Sequence, residues 1–94
     1  MSPPAIVVYS KSWCPYCQRA RALLERKGAV FEIIDIEAHP ERAEEMIRRS
    51  GRRTVPQIFI GARHVGGSDD LHELDAAGEL DSLLAGQPTT STAD

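Results

Sequence analysis

A chain of 94 residues has room for one domain with a single modest core. Its 41% hydrophobic and 27% charged residues describe an ordinary soluble globular composition, and no apolar run approaches the ~20 residues that span a bilayer, which argues against a membrane role. Eleven basic against fourteen acidic residues leave a net charge of −3, which gives no general attraction to nucleic acid or to an anionic surface.

Ala5 to Tyr9 is a continuous apolar run rich in β-branched residues, the pattern of a strand buried on both faces. Ser10-Lys11-Ser12-Trp13 is a connecting loop, and from Pro15 to Lys27 the residues Cys17, Ala20, Leu23 and Leu24 recur at helical spacing. Gly28 is placed to end that helix in the left-handed conformation. Val30 to Ile36 reads as a second strand, parallel to the first because strand, helix and strand follow within about thirty residues. Pro40 opens a second helix with Ala43, Met46 and Ile47 as its apolar stripe and Gly51 as its stop. Gln57–Ile60 and Arg63–Val65 are short strands joined by Gly61-Ala62, a hairpin that makes the sheet mixed. Gly66-Gly67 precede a third helix opened by Ser68-Asp69-Asp70, with Ser68 as the candidate cap, and a last turn or two covers Glu79 to Leu84. Residues 1–86 are thus expected to form one α/β domain, a four-stranded mixed sheet with helices on both faces, and residues 87–94 a disordered tail with nothing to bury.

The only two cysteines stand three apart, Cys14-Pro15-Tyr16-Cys17, where a strand gives way to a helix. Residues i and i+3 share a helix face, so the pair can close and reopen a disulfide without moving the backbone. The helix start favours a thiolate on Cys14 through the dipole and unpaired amides, and Pro15, lacking an N–H, leaves that task to the amides of Tyr16 and Cys17. A structural zinc site would need four ligands, and His39, His64 and His72 sit in no matching pattern. A permanent disulfide suits a small secreted protein, but Met1-Ser2-Pro3-Pro4 lacks the features of a secretory signal, and so short a loop gains little from closure. The expectation is a redox dithiol working in a reducing cytosol, with no metal.

Four arginines crowd into Arg48-Arg49-Ser50-Gly51-Arg52-Arg53. Without interleaved aromatics and on an acidic background, the run fits a basic helix end and a local site for a small carboxylate better than a nucleic-acid patch.

Three stretches together resemble the glutaredoxins, specifically the dithiol class: Lys11-Ser12-Trp13-Cys14-Pro15-Tyr16-Cys17, Thr54-Val55-Pro56-Gln57-Ile58-Phe59-Ile60 and His64-Val65-Gly66-Gly67-Ser68-Asp69-Asp70-Leu71. The match in order and spacing runs from about Ile6 to Leu84. The resemblance implies a thioredoxin fold with Pro56 in cis and facing the dithiol, so that the Val55 backbone can pair with a bound cysteine. It implies glutathione as reducing cosubstrate, with no tightly bound cofactor, lying against Lys11, Tyr16, Thr54, Val55, Pro56, Gly67, Ser68 and Asp69. In that arrangement Lys11 meets the glycine carboxylate, Tyr16 is an aromatic wall, Ser68 takes the γ-glutamyl carboxylate and Asp69 the γ-glutamyl ammonium. Gly66 and Gly67 would admit the ligand close to the backbone.

Two departures stand out. Some relatives carry a further cysteine where this chain has Ser68, and a basic or amide residue often found near the start of the second helix aligns with Ala43, leaving Arg42, Arg53 or Gln57 as substitutes. The implied activity is reduction of protein disulfides and protein–glutathione mixed disulfides by a monomer, with Cys14 as nucleophile and Cys17 as resolving thiol. Partners are glutathione and disulfide-containing or glutathionylated proteins, with ribonucleotide reductase, arsenate reductase and sulfate-assimilation reductases as family-level candidates, and no nucleic acid or membrane. The alternative is an iron–sulfur cluster carrier, a dimer ligated by Cys14 and glutathione, which the intervening proline disfavours.

Overall fold

A computed structural model of the chain describes residues 5–84, and the tail expected at 87–94 lies outside the described residues. Strand β1 (Ile6–Ser10) is followed by helix α1 (Pro15–Arg26), β2 (Glu32–Asp35), α2 (Pro40–Ser50), the hairpin β3 (Gln57–Ile60) and β4 (Arg63–Gly66), then α3 (Ser68–Ala76) and the short α4 (Leu80–Leu84). The sheet order is β2-β1-β3-β4, with β1 parallel to β2, antiparallel to β3, and β3 antiparallel to β4. This is the four-stranded mixed sheet of a thioredoxin fold.

Side-chain alternation along the central strands divides the interior in two. Ile6 and Val8 of β1 and Ile58 and Ile60 of β3 face α1, α3 and α4, where Ala20, Leu23, Leu24, Leu71 and Leu80 complete one core. Tyr9 and Phe59 point the other way, toward Met46 of α2, joined by Ile34 and Ile36. Each such large apolar side chain contributes roughly 1.5–3 kcal/mol when fully buried, so the two clusters account for the hold of helices on both faces.

Sequence and structure part company at β2. The apolar run suggested a strand from Val30, but pairing begins at Glu32, and Val30 is 89% exposed. β2 pairs with β1 alone, so its ladder is limited to the residues opposite Val7–Ser10. Gly28 and Gly51 follow their helices at φ +71° and +73°, as their positions suggested.

Antiparallel pairing sets Tyr9 near the end of β1 opposite Gln57 at the start of β3, and Ile58 opposite Gly66 at the end of β4. The segments after β1, before β3 and after β4 therefore emerge from one end of the sheet. There α3 starts differently from expectation: Gly67, not Ser68, is its cap residue. Having no side chain, Gly67 relies on Asp70, whose Oδ2 accepts the Gly67 N–H at 2.9 Å and also the Arg52 guanidinium at 3.2 Å. Gly66 adopts φ +117°, and a Cβ there would collide with the Asp70 carboxylate. Gly66 is thus needed for the turn itself, and its closest neighbour is this carboxylate.

The Gly67 amide, more than Arg52, holds the Asp70 carboxyl below the usual carboxylate range. Its stabilisation is therefore complete above the unfolded value of ~3.9 and disappears as pH falls through the lower folded value. Asp70→Ala is expected to cost roughly 1 kcal/mol in urea unfolding at pH 7, mostly from the lost cap, since the ion pair is half exposed. The gap from the parent protein should narrow as pH falls below the unfolded value and through the lowered folded one.

Candidate active site

Cys14 is the cap residue of α1, in extended conformation, with Pro15 in the first helical position. Its Sγ accepts the Cys17 backbone N–H at 3.3 Å, the usual bond from a third helical residue back to the cap. Of the two amides expected to support Cys14, only that of Cys17 donates to it among the described residues. No acidic residue stands in the first turn to oppose negative charge on the sulfur.

Both cysteines are free thiols, and their surroundings differ sharply. Cys14 is half-buried, whereas Cys17 is 2% exposed on the inner face of α1. Burial first, and then the contact with Cys14, push the Cys17 thiol up, against weaker opposing effects of the Ser10 hydroxyl and the Lys11 backbone. Cys17 is accordingly protonated at neutral pH while the neighbouring sulfur occupies the helix start.

Across from the dithiol, the Val55–Pro56 bond is cis, as the resemblance implied, and the Val55 carbonyl oxygen stands 4.0 Å from Cys14 Sγ. A groove of about 290 Å³ runs beside this point. It gathers Tyr16, Thr54, Val55, Pro56, Gly67, Ser68 and Asp69 from the three segments at the end of the sheet. Tyr16 is 55% exposed and Asp69 is exposed, while Ser68 is buried in the first turn of α3. Lys11 is set apart: it is exposed and lines a neighbouring cavity with Cys17, Gln18, Arg21 and Asp35.

The basic residue of the groove is Arg52, a member of the four-arginine run expected to offer a site for a small carboxylate but not one of the three substitutes, Arg42, Arg53 and Gln57. Arg42 pairs with Glu45 at 3.1 Å on α2, and Ala43 packs into the α2-side core. Gln57 is fully engaged internally: its amide nitrogen donates to the Thr54 carbonyl and hydroxyl at 3.0 and 3.2 Å, and its oxygen meets His64 Nε2 at 2.7 Å. Arg49 is a structural residue, bonded to the Tyr9 hydroxyl at 2.8 Å with its guanidinium 4.0 Å from the Phe59 ring centre. The four-arginine run thus divides by position, and only the fold reveals which member reaches the groove. Asp70 was more accessible, since an acidic residue three after a cap position is a recognisable spacing.

Among the described residues no group of three or more His, Cys, Asp or Glu could hold a metal ion, and no helix is long and apolar enough to cross a membrane.

Comparison with known proteins agrees with this architecture. The family model described as Glutaredoxin matches residues 6–65. A glutaredoxin of Pseudomonas aeruginosa is 54% identical over 82 residues, covering 87% of this chain and 98% of that protein. Glutaredoxin 3 of Escherichia coli K12 is 57% identical over 79 residues, covering 84% of this chain and 95% of its own length. Among solved structures, a buckwheat glutaredoxin–glutathione complex superposes with a TM-score of 0.80 at 34% identity, over 85% of this chain and 76% of the buckwheat chain. The chain belongs to the glutaredoxin family and, with it, to the glutathione-dependent thiol–disulfide oxidoreductases.

Proposed function

We propose that this protein reduces protein–glutathione mixed disulfides and protein disulfides, with Cys14 as nucleophile and Cys17 as resolving thiol, in the cytosol. The observation that carries the reading is the pairing of an accessible, helix-capping sulfur on Cys14 with a groove of glutathione-compatible chemistry directly beside it.

In the first step the Cys14 thiolate attacks the glutathione sulfur of a mixed disulfide. A Cys14–glutathione bond forms, the original bond breaks, and the protein substrate leaves as thiolate and takes a proton from solvent. A second glutathione, as thiolate, attacks the adduct at the glutathione sulfur, releasing oxidised glutathione and regenerating Cys14. With a protein disulfide the adduct is a trapped substrate. The Cys17 thiol then loses its proton, attacks Cys14 and expels the substrate, leaving a Cys14–Cys17 disulfide for two glutathiones to reduce.

The groove divides the ligand by charge. The N-terminal turn of α3 at Ser68 suits the γ-glutamyl carboxylate, and the exposed Asp69 suits the γ-glutamyl ammonium. Arg52 offers a cation for the glycine carboxylate, and Tyr16 a flat wall beside the mixed disulfide. Lys11 contributes its charge from the loop before Cys14 and not from the groove wall. The buckwheat relative, solved with glutathione, supports a ligand of this kind.

Two experiments test the assignment. Cys14→Ser should abolish turnover on every disulfide, whereas Cys17→Ser should retain deglutathionylation and lose most reduction of protein disulfides. The Cys17→Ser protein should also accumulate one glutathione by intact mass. A Cys14→Ser protein that still deglutathionylates would reverse the roles.

Asp69→Ala removes the partner of the γ-glutamyl ammonium, a charged hydrogen bond moderated by exposure. KM for a glutathionylated peptide should rise about tenfold, with far less change on a disulfide lacking glutathione. Equal losses on both substrates would assign Asp69 to the fold.

A further inference from the structure

We propose that Gln57 is a positioning residue for this reaction: held in one orientation by His64, it sets the peptide plane that aims the Val55 N–H into the groove. The inference rests on the groove being the glutathione site, and it concerns Gln57, which lines that groove while its amide is bonded to Thr54 and His64, together with His64 itself.

The geometry begins with the sheet. Gln57 is two residues from Phe59 on β3, so both side chains lie on the α2 side, as does Tyr9, the partner of Gln57 across the ladder. On β4 the register shifts: Phe59 pairs with His64 but Ile58 pairs with Gly66, so Val65 is the extra residue of a bulge. Bulges re-aim side chains near sites. Here His64 stacks on Phe59, with ring centres 4.8 Å apart and planes 29° from parallel, and its Nε2 reaches Gln57 Oε1 at 2.7 Å.

The hydrogen-bond pattern admits one reading. The Thr54 carbonyl can only accept, so the NH₂ of Gln57 must face it, at 3.0 Å, with the Thr54 hydroxyl at 3.2 Å. The Gln57 oxygen therefore faces His64, and the proton of a neutral imidazole sits on Nε2. Burial, and then Arg52, keep His64 below the usual imidazole range, with Asp70 opposing and Arg49 adding to the shift, so the ring is neutral at pH 7. Both amide hydrogens and the oxygen of Gln57 are thereby engaged on a side chain only 1% exposed.

The consequence lies one atom further on. The Thr54 C=O and the Val55 N–H belong to one trans peptide unit, so they point in opposite directions. By drawing the carbonyl toward itself, Gln57 turns the Val55 N–H away from the sheet interior. That N–H belongs to the residue whose carbonyl oxygen already stands 4.0 Å from Cys14 Sγ. The segment offered to a bound cysteine backbone is thus oriented by a side chain whose own amide is already engaged with Thr54 and His64.

The unmodified reduced protein gives the first test. Long-range proton–nitrogen NMR at neutral pH should find His64 as the Nε2–H tautomer, and an Nδ1–H tautomer would overturn the relay. Steady-state kinetics on a glutathionylated peptide give the second. Gln57→Leu should raise KM about fivefold, the loss expected for one hydrogen bond, with kcat within about twofold. His64→Phe, which keeps an aromatic ring against Phe59 and removes the donor, should raise KM about threefold and serves if Gln57→Leu fails to fold. A merely structural defect would lower kcat through the active fraction and leave KM unmoved, and that outcome overturns the proposal. Asp69→Ala in the same assay separates the two levels. If it raises KM while Gln57→Leu and His64→Phe do not, the relay is wrong and the groove stands; if none of the three does, the groove reading falls with it.

Discussion

The antiparallel pairing of β1 with β3 is the constraint on which the site depends. It brings the end of one strand to the beginning of another 48 residues later, Tyr9 opposite Gln57, and so sets the Cys14 loop against the Thr54–Pro56 segment. The β3–β4 hairpin adds the third segment by returning Gly66 beside Ile58. The positions of these segments are inherited from two central strands whose side chains are buried on both faces. A one-residue slip between β1 and β3 would exchange Val8 and Tyr9 between the two cores and at once separate the sulfur from its groove.

The same arrangement explains the inequality of two chemically identical thiols. Residues three apart on a helix share a face, but the cap residue of α1 is half-buried while the third helical residue is 2% exposed. Cys14 is the cap residue, with an amide directed at its sulfur; Cys17 is one turn further on and buried. Burial opposes charge on Cys17, and the contact with the Cys14 sulfur opposes it further. The difference in roles proposed for the pair thus needs no additional catalytic residue, since the placement of the helix on the sheet supplies it.

What the sequence disclosed, and what it withheld, follows from the range of the interactions concerned. The helices, the hairpin and the dithiol depend on neighbours three or four residues away, so spacing alone exposes them. The start of β2 depends on what β1 offers for pairing, and Val30, apolar and β-branched, was placed in a strand that begins two residues later. The turn into α3 was misread for a related reason: Ser68 has the right side chain for a cap, yet the cap residue is Gly67, satisfied from inside the helix by Asp70. Gly66, taken as making room for a ligand, is required by its positive φ and by the carboxylate beside it. The Arg48–Arg53 run was visible as charge, but which arginine reaches the groove depends on where β3 meets α3, a tertiary fact.

Arg49 and Arg52 show how one basic stretch serves two purposes without conflict. Arg49 sits on the last turn of α2, where a cation is favoured by the helix dipole, and it binds the Tyr9 hydroxyl, which in turn donates to Glu45. Arg52 lies beyond Gly51, whose left-handed conformation turns the chain away from the helix axis toward α3. The pairing of Arg52 with Asp70 is half exposed and adds little stability, so Arg52 can exchange that partner for an anionic ligand at low cost. A buried pair at the same place would hold its arginine too firmly to release it. The weak surface bridge therefore leaves Arg52 exchangeable at the groove, while Arg49, bonded to the Tyr9 hydroxyl and seated over the Phe59 ring, ties α2 to the two central strands.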